Sequence, residues 1–168
     1  LEAAEGYILD EEYKTVYVRP DHTAEIEWVN EAITGQIQIY KYSAEANSVT
    51  GAPAGSPLQG AVYEIIHERS GRVVDYITTD ARGVAASKPL PLTRYKIREV
   101  TAPAYYQLDP TVHDVTLEYA GQIIKIAAYD KAANLKVTVT KVGNKQLLAG
   151  DSMRYDLTVA NNSNVALE

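Results

Sequence analysis

The sequence predicts an all-β sandwich that belongs to an array of repeated units. Three observations support this prediction. Short segments of alternating apolar and polar residues recur along the 168-residue chain, Gly, Pro, Asn and Asp separate them, and no segment has sustained helical periodicity. About seven such segments lie between residues 35 and 133, at the spacing typical of an immunoglobulin-like or transthyretin-like β-sandwich.

The strands of this central unit are predicted from period-2 patterns. Gly35 opens the unit, and turn signals occur at Ser70-Gly71, at Asp80 to Gly83 and at Ala120-Gly121. A long loop rich in Ser, Ala, Asn, Gly and Pro is expected over residues 43–59. The predicted strands cover residues 36–41, 61–66, 73–78, a segment that starts at Tyr95, 112–117 and 122–129.

Both ends of the chain resemble parts of the central unit. Tyr7-Ile-Leu-Asp10 matches Tyr106-Gln-Leu-Asp109, and each is followed by two alternating segments. In residues 1–34, which we call the head, these segments cover residues 13–18 and 23–29. The row Leu135, Val137, Val139, Lys141 repeats the row Ile37, Ile39, Lys41. We therefore expect a tandem array: residues 1–34 form the C-terminal part of a preceding repeat, 35–133 a complete domain, and 134–168 the N-terminal part of a following repeat.

Composition excludes several classes of function. The net charge is −6, and residues 1–34 hold nine acids against two bases, so no basic stripe offers a nucleic-acid surface. No apolar run reaches the roughly 20 residues of a membrane helix, so we expect no membrane insertion. Cys is absent, hence no disulfide forms. Signal and sorting motifs are also absent, so an exported protein would carry them in a longer chain.

Conventional enzyme motifs are missing as well. The sequence has no Gly-x-Ser-x-Gly nucleophile elbow and no phosphate loop. His22, His67 and His113 are isolated and lack metal-ligand spacing. We expect no cofactor, no metal and no external substrate.

Three charged residues stand out against this background. In the segment that starts at Tyr95, Glu99 shares a face with Tyr95 and Ile97, so its carboxylate is expected to point into the core. Lys41 ends the inward row of the first strand, and Asp130 ends the last strand. Each alone is consistent with an ordinary strand-end charge that snorkels to water or pairs.

Together, the three residues suggest a covalent reaction. In a sandwich the first and last strands can be neighbours, which would bring Lys41 to Asp130. Burial favours the neutral amine and the neutral carboxylic acid. A neutral amine is a nucleophile, and an adjacent protonated Glu99 can polarise the carbonyl and carry protons. The expected product is an amide between the two side chains, with loss of one water.

The motifs around these residues resemble one known family. The central unit is similar to the Cna B-type, or SpaA-like, domain of Gram-positive pilins and adhesins. Gly35-x-Ile-x-Ile-x-Lys41 resembles its opening strand, and Pro57-Leu-x-Gly60-Ala61-x-Tyr63 resembles its P-L-x-G-A-x-F signature. The segment Tyr95-x-Ile97-x-Glu99-x-x-Ala102-Pro103-x-x-Tyr106 resembles the pilin E-box, Y-x-L-x-E-T-x-A-P-x-G-Y, with Ile97 for Leu, Val100 for Thr and Tyr105 for Gly.

The resemblance implies specific roles for these residues. Lys41 and Asp130 would form an intramolecular isopeptide bond, with Glu99 as the catalytic acid. Asn30 would be the remnant crosslink position of the preceding repeat, unlinked in this chain. The segment Gly150-Asp151-x-x-x-Tyr155 resembles the start of a following surface-protein repeat, so residues 134–168 would be the N-terminal part of such a repeat. Lys141 is either a bond lysine in an intact following domain or an exposed strand-end lysine.

The resemblance also implies a function and a location. The protein would be a stalk module of an adhesin or pilin, extracellular and on the cell wall of a Gram-positive bacterium, with neighbouring repeats of the same polypeptide as partners. The alternative is a binding module that grips a host protein or glycan through the 43–59 loop or a tyrosine-rich face. Exposed tyrosines would favour binding, and buried ones would favour the stalk.

Overall fold

The computed structural model describes residues 6–143, 148–150, 152 and 154–165. These residues form strands, turns and loops but no helix, which confirms the all-β prediction. The strands are β1 (Thr34–Ser43), β2 (Val62–His67), β3 (Val73–Thr78), β4 (Val84–Ala86), β5 (Leu90–Pro91), β6 (Arg94–Thr101), β7 (Val112–Thr116), β8 (Ile123–Asp130), β9 (Val137–Gly143) and β10 (Tyr155–Asn161).

Residues 34–130 form two four-stranded sheets. In the first sheet β1 is central: β8 pairs with it in parallel on one side, and β4 and β5 pair antiparallel on the other. The second sheet is antiparallel, in the order β3-β2-β6-β7. The first and last strands of the central unit are therefore direct neighbours, as the crosslinking hypothesis requires.

The two sheets enclose one apolar core. Alternate residues of β1, Ile37 and Ile39, are fully buried, and Tyr63, Ile65, Tyr95 and Ile97 face them from the second sheet. This inward row of β1 continues to Lys41, in agreement with the predicted alternation.

The head departs from the prediction. The expected strands at 13–18 and 23–29 do not form a ladder, although His22 N–H donates to Arg19 O (3.2 Å) at the predicted turn. Tyr13 is 100% and Tyr17 is 89% exposed, so nothing in the described part of the chain covers their apolar surface. A two-stranded ribbon without a covered face is marginal in water, so the alternating pattern of the head is not sufficient to form a ladder here.

The head nevertheless keeps the closing contacts of the central unit. Tyr106 bridges Ala132, with Gln107 N–H to Lys131 O (2.9 Å) and Ala133 N–H to Tyr105 O (2.8 Å). Residues 6–8 and 31–33 of the head make the same set of contacts. Tyr7 forms a β-bridge with Ala32. Ile8 N–H donates to Glu31 O and Ile33 N–H donates to Gly6 O, both at 2.8 Å.

The described residues of the range 134–168, which we call the tail, form a separate two-stranded sheet. β9 and β10 pair antiparallel from Val137–Asn161 to Gly143–Tyr155, and β9 contains Val137, Val139 and Lys141 of the predicted row. Almost all of their side chains are exposed. Within the described ranges no helix is long and apolar enough to span a membrane.

Candidate functional site

The inward row of β1 carries a lysine into the core. Lys41 is 0% exposed, and its position in β1 follows from the alternation that also buries Ile37 and Ile39. Its backbone N–H donates to Gly83 O (2.7 Å), which fixes this part of β1 against the turn before β4. The side chain therefore enters the space between the two sheets from a strand held on both edges.

The predicted acids meet Lys41 there. Asp130 pairs with Ser43 in the parallel β1–β8 register, so its side chain lies on the same face as that of Lys41, two positions along the neighbouring strand. Lys41 Nζ makes an ion-pair contact with Asp130 Oδ1 and lies 3.1 Å from Glu99 Oε1. All three side chains are at most 1% exposed. Residues distant in sequence thus converge as predicted.

These groups have few other partners. Apart from the ion-pair contacts, Lys41 Nζ, Glu99 Oε1 and both Asp130 oxygens have no hydrogen-bond partner among the described residues. A buried ion pair is costly unless additional hydrogen bonds satisfy its atoms. The arrangement therefore favours any change that removes the charges.

Burial also shifts the acids toward their neutral forms. Desolvation raises the pKa of the Glu99 carboxyl to about 7, although the Asp109 N–H and the Lys41 ammonium lower it. Desolvation likewise raises the pKa of Asp130 above its ordinary value, against the opposing effect of Lys41. At neutral pH a protonated Glu99 is thus readily available as an acid beside the Lys41–Asp130 pair.

Two residues of the site were not predicted. Tyr63 lies opposite Glu99 in the β2–β6 register, and Lys41 Nζ is 5.3 Å from the centroid of its ring. Burial and the nearby carboxylates raise the pKa of its phenol. Asp109 donates its backbone N–H to Glu99 Oε2 (2.8 Å). The repeated Tyr-x-Leu-Asp motif was the available sequence signal for Asp109.

The E-box loop closes over the site with an unusual backbone. Tyr105, which stands where the E-box has Gly, keeps the left-handed conformation with φ of 66°. Its carbonyl accepts hydrogen bonds from Ala133 N–H (2.8 Å) and from the buried Asn47 side chain (2.9 Å). These contacts tie the 43–59 loop and the end of β8 to the segment that follows Glu99.

The other candidate residues lie outside this site. Asn30 is exposed, and Lys141 is exposed with its Nζ 3.7 Å from the centroid of the Tyr155 ring. His22 and His67 make local contacts with Pro20 O and Ser70 Oγ. In the part of the chain that the structure describes, no group of three or more His, Asp or Glu is arranged to hold a metal ion.

Comparison with known proteins identifies the central unit. The family model SpaA, described as a prealbumin-like fold domain, matches residues 35–132. The chain belongs to this family. The match confirms the resemblance that the motifs indicated. The trypsin-resistant surface T6 protein of Streptococcus pyogenes serotype M6 is 28% identical over 94 residues, which cover 56% of this chain and 17% of that protein.

One solved structure supports the same fold for this SpaA-family chain, and a second aligns with a lower TM-score. The TIE protein of Bacillus anthracis aligns with a TM-score of 0.57 and 23% identity, over 99% of this chain and 35% of that one. BcpA, the major pilin subunit of Bacillus cereus, aligns with a TM-score of 0.49 and 19% identity, over 75% of this chain and 37% of that one. The chain thus spans well under half the length of the relatives that it matches.

Proposed function

We propose that Lys41 and Asp130 join in an intramolecular isopeptide bond, formed by the protein itself with Glu99 as the catalytic acid. The observation that carries this proposal is the convergence of one amine and two carboxyls in a dry core. Lys41 Nζ contacts Asp130 Oδ1 and lies 3.1 Å from Glu99 Oε1. No conventional substrate is needed, because both reacting groups belong to the chain.

The reaction balances without a co-reactant. A proton moves from the Lys41 ammonium to the Asp130 carboxylate, which leaves a neutral amine and a neutral acid. The amine nitrogen attacks the Asp130 carboxyl carbon while the Glu99 acid hydrogen is donated to the carbonyl oxygen. The C–N bond forms, and the surplus amine proton passes to Glu99. Glu99 then protonates one hydroxyl of the tetrahedral carbon, the C–O bond to that hydroxyl breaks, and one water leaves. The proton of the remaining hydroxyl returns to Glu99, which ends as the neutral acid.

Burial supplies a physical reason for the bond. The unlinked protein holds a charged pair that has lost its hydration and gains few hydrogen bonds in return. The amide is neutral, and its carbonyl and N–H can pair with Glu99. Linking therefore removes a destabilising feature of the core while it adds a covalent tie between β1 and β8.

The tie suits a stalk module of a cell-wall-anchored surface protein. The chain enters at the start of β1 and leaves at the end of β8, and these strands are parallel neighbours. Tension applied at the two ends would run along β1 to Lys41, across the bond and out at Asp130. The rest of the unit would carry no load. We propose an extracellular, Gram-positive cell-surface location and a pilin or adhesin as the parent protein, in keeping with the similarity to a streptococcal surface protein.

The intact mass of the purified chain tests this proposal. We expect the protein to be lighter than its sequence mass by one water, and the Glu99→Ala and Glu99→Gln variants to have the full mass. Asn30→Ala should lose one water like the parent, because Asn30 is exposed and lies outside the Lys41–Glu99–Asp130 site. A parent chain at full mass would contradict the proposal.

We further propose that the head and tail belong to neighbouring units of a tandem array. The contacts of Tyr7 and Ile8 with residues 31–33 repeat those of Tyr106 and Gln107 with residues 131–133. Asn30 takes the place of Asp130 in this correspondence. Neighbouring repeats of the same polypeptide are then the first partners of the central unit.

A host-ligand binding module is the second candidate. Tyr76, Tyr119 and Tyr129 of the central unit are more than half exposed. The Tyr129 ring lies beside that of Tyr42 on the outer face of the first sheet, with 5.9 Å between the ring centroids and the ring planes tilted by 36°. Against this, Tyr63, Tyr95 and Tyr106 are buried. Binding of a host protein or glycan that is lost on Tyr129→Ala would support this second role.

A further inference from the structure

The two carboxyl oxygens of Glu99 lie in different surroundings. Oε2 accepts the backbone N–H of Asp109 at 2.8 Å. Oε1 lies 3.1 Å from Lys41 Nζ and has no hydrogen-bond partner among the described residues. The side chain is 1% exposed, so water does not equalise the two oxygens.

This asymmetry determines where a proton sits on neutral Glu99. A hydrogen on Oε2 would compete with the Asp109 N–H, which already points at that oxygen. A hydrogen on Oε1 leaves this hydrogen bond intact and faces the Lys41–Asp130 pair. The acid hydrogen is therefore held on the oxygen next to the groups that react.

A local turn directs the Asp109 N–H. The Asp109 carboxylate accepts hydrogen bonds on Oδ1 from Thr111 N–H (3.0 Å) and Thr111 Oγ1–H (2.6 Å), across Pro110. Such side-chain-to-backbone bonds fix turns around Asp. Burial acts to raise the pKa of Asp109, but the Thr111 bonds and the Lys41 charge lower it overall, so the accepting group stays ionised.

The same turn occurs in the head, away from any reacting group. Glu12 N–H donates to Asp10 Oδ1 at 2.9 Å, and Asp10 stands three residues after the bridging Tyr7 as Asp109 stands three after Tyr106. The turn is therefore a property of the Tyr-x-x-Asp sequence itself. Only in the central unit does a described glutamate accept from it.

We propose that Asp109 is a positioning residue for the crosslinking reaction, because its turn aims its backbone N–H at Glu99 Oε2 and so holds the acid hydrogen on Oε1. This inference rests on the proposed function. Each proton that Glu99 gives or takes then passes through one oxygen: Oε1–H protonates the Asp130 carbonyl oxygen, Oε1 receives the surplus proton of the Lys41 amine, and the same oxygen serves the departing hydroxyl.

The test follows the loss of water during refolding. The chain is synthesised in a cell-free system, transferred to urea before it folds, and refolded by dilution at a series of pH values. Intact mass after acid quench gives the linked fraction against time. Asp109→Ala removes the acceptor of the turn, Asp109→Asn keeps an oxygen acceptor for Thr111, and Asp10→Ala is the matched control in the head.

We expect Asp109→Ala to link at least about tenfold more slowly than the parent, as loss of general-acid positioning removes part of a roughly 100-fold or larger effect. Asp109→Asn should link within about threefold of the parent rate, and Asp10→Ala at the parent rate. Circular dichroism of each refolded variant checks that the fold has formed.

The pH profile separates positioning from a general loss of order. Glu99 faces Lys41 from β1, Asp130 from β8, Tyr63 from β2 and the Asp109 N–H from the loop. The rate should fall as the pH rises through about 7, where Glu99 ionises. Loss of N–H donation raises the Glu99 pKa, so this fall should move to higher pH in Asp109→Ala.

The outcomes distinguish the two proposals. If the parent never loses water, the isopeptide reaction and the role of Asp109 are both wrong. If the parent links and Asp109→Ala links at the same rate, only the positioning role is wrong. A slower Asp109→Ala with an unchanged pH profile, or an Asp109→Asn as slow as Asp109→Ala, would likewise overturn it.

Discussion

At the scale of single residues, the site depends on side chains whose environment contradicts their usual preference. Lys41, Glu99 and Asp130 are charged types in a core, and Tyr63 adds a buried hydroxyl without a hydrogen-bond partner among the described residues. Such groups are normally excluded from interiors unless they are paired. Their clustering in one place indicates a chemical role for the set.

The backbone of Tyr105 is strained. A φ of 66° destabilises the folded state by about 1–2 kcal/mol for a residue other than glycine. Glycine removes this strain, but the larger backbone entropy of glycine in the unfolded chain offsets about 0.5–1 kcal/mol of the stabilisation. Tyr105→Gly should therefore raise the free energy of unfolding by about 0.5–1 kcal/mol, measured by urea denaturation in the unlinkable Glu99→Gln background.

The control for this prediction is Asp21, which also has a positive φ (59°). Aspartate tolerates the left-handed region better than tyrosine, so Asp21→Gly should give a smaller change. Destabilisation by Tyr105→Gly would mean that the half-exposed tyrosine ring contributes more than the backbone strain costs.

At the scale of elements, β1 organises the site because it is held on both edges. The turn before β4 is part of this support. Gly83 has φ of +72°, and a Cβ there would lie 2.5 Å from Lys41 O. The backbone of β1 at Lys41 is thus fitted against a position that admits only glycine.

Gly83→Ala should lower the free energy of unfolding by about 3 kcal/mol, since it adds overpacking of about 1–3 kcal/mol to backbone strain of about 1–2 kcal/mol. It should also slow linking, because the clash displaces β1 at Lys41. Gly71→Ala is the matched control: its φ is +67°, but no atom lies within 4 Å of the added Cβ. In urea denaturation, Gly71→Ala should lower the free energy of unfolding by only about 1 kcal/mol. Equal losses for both variants would show that the contact with β1 is unimportant.

Alternation predicted much of the site. It placed Lys41 in the inward row of β1 and Glu99 beside Tyr95 and Ile97, because a strand's side chains alternate whatever its neighbours are. The proximity of Asp130 needed one more step, the pairing of first and last strands. Local patterns did not give the short β4 and β5, whose two or three residues pair only because β1 is already in place.

Other parts could not be predicted from residue types. The head has two clear alternating segments at 13–18 and 23–29, yet they form no ladder, whereas the equally exposed β9 and β10 do pair. A two-stranded ribbon is marginal in water, so alternation alone does not decide whether it forms. The Asp109 contact with Glu99 uses a backbone N–H, which every residue other than proline possesses. Its direction depends on the turn, and only the repeated Tyr-x-Leu-Asp motif marked that turn in the sequence.

At the scale of the whole molecule, the bond would close a loop from Lys41 to Asp130. By analogy with disulfides, closure of a loop of about 100 residues is worth on the order of 4–5 kcal/mol. The larger consequence is mechanical, because β1 and β8 are parallel and the two ends of the unit lie at opposite ends of this pair.

Pulling single molecules from both ends should show whether force passes along β1 to Lys41, across the bond and out at Asp130. The linked protein should give no extension from residues 42–129. The Glu99→Gln variant should release roughly 300 Å when these residues unfold, at about 3.3–3.6 Å per residue. Equal extensions for the two proteins would show that no covalent path bypasses the sandwich.

The central claim is the identity of the linked residues, and tandem mass spectrometry of a tryptic digest tests it most directly. We predict one branched peptide that joins the segment containing Lys41 to the segment containing Asp130, with no cleavage after Lys41 and a mass one water below the sum of the two segments. Recovery of both segments as separate, unmodified linear peptides from the folded parent chain would contradict the account.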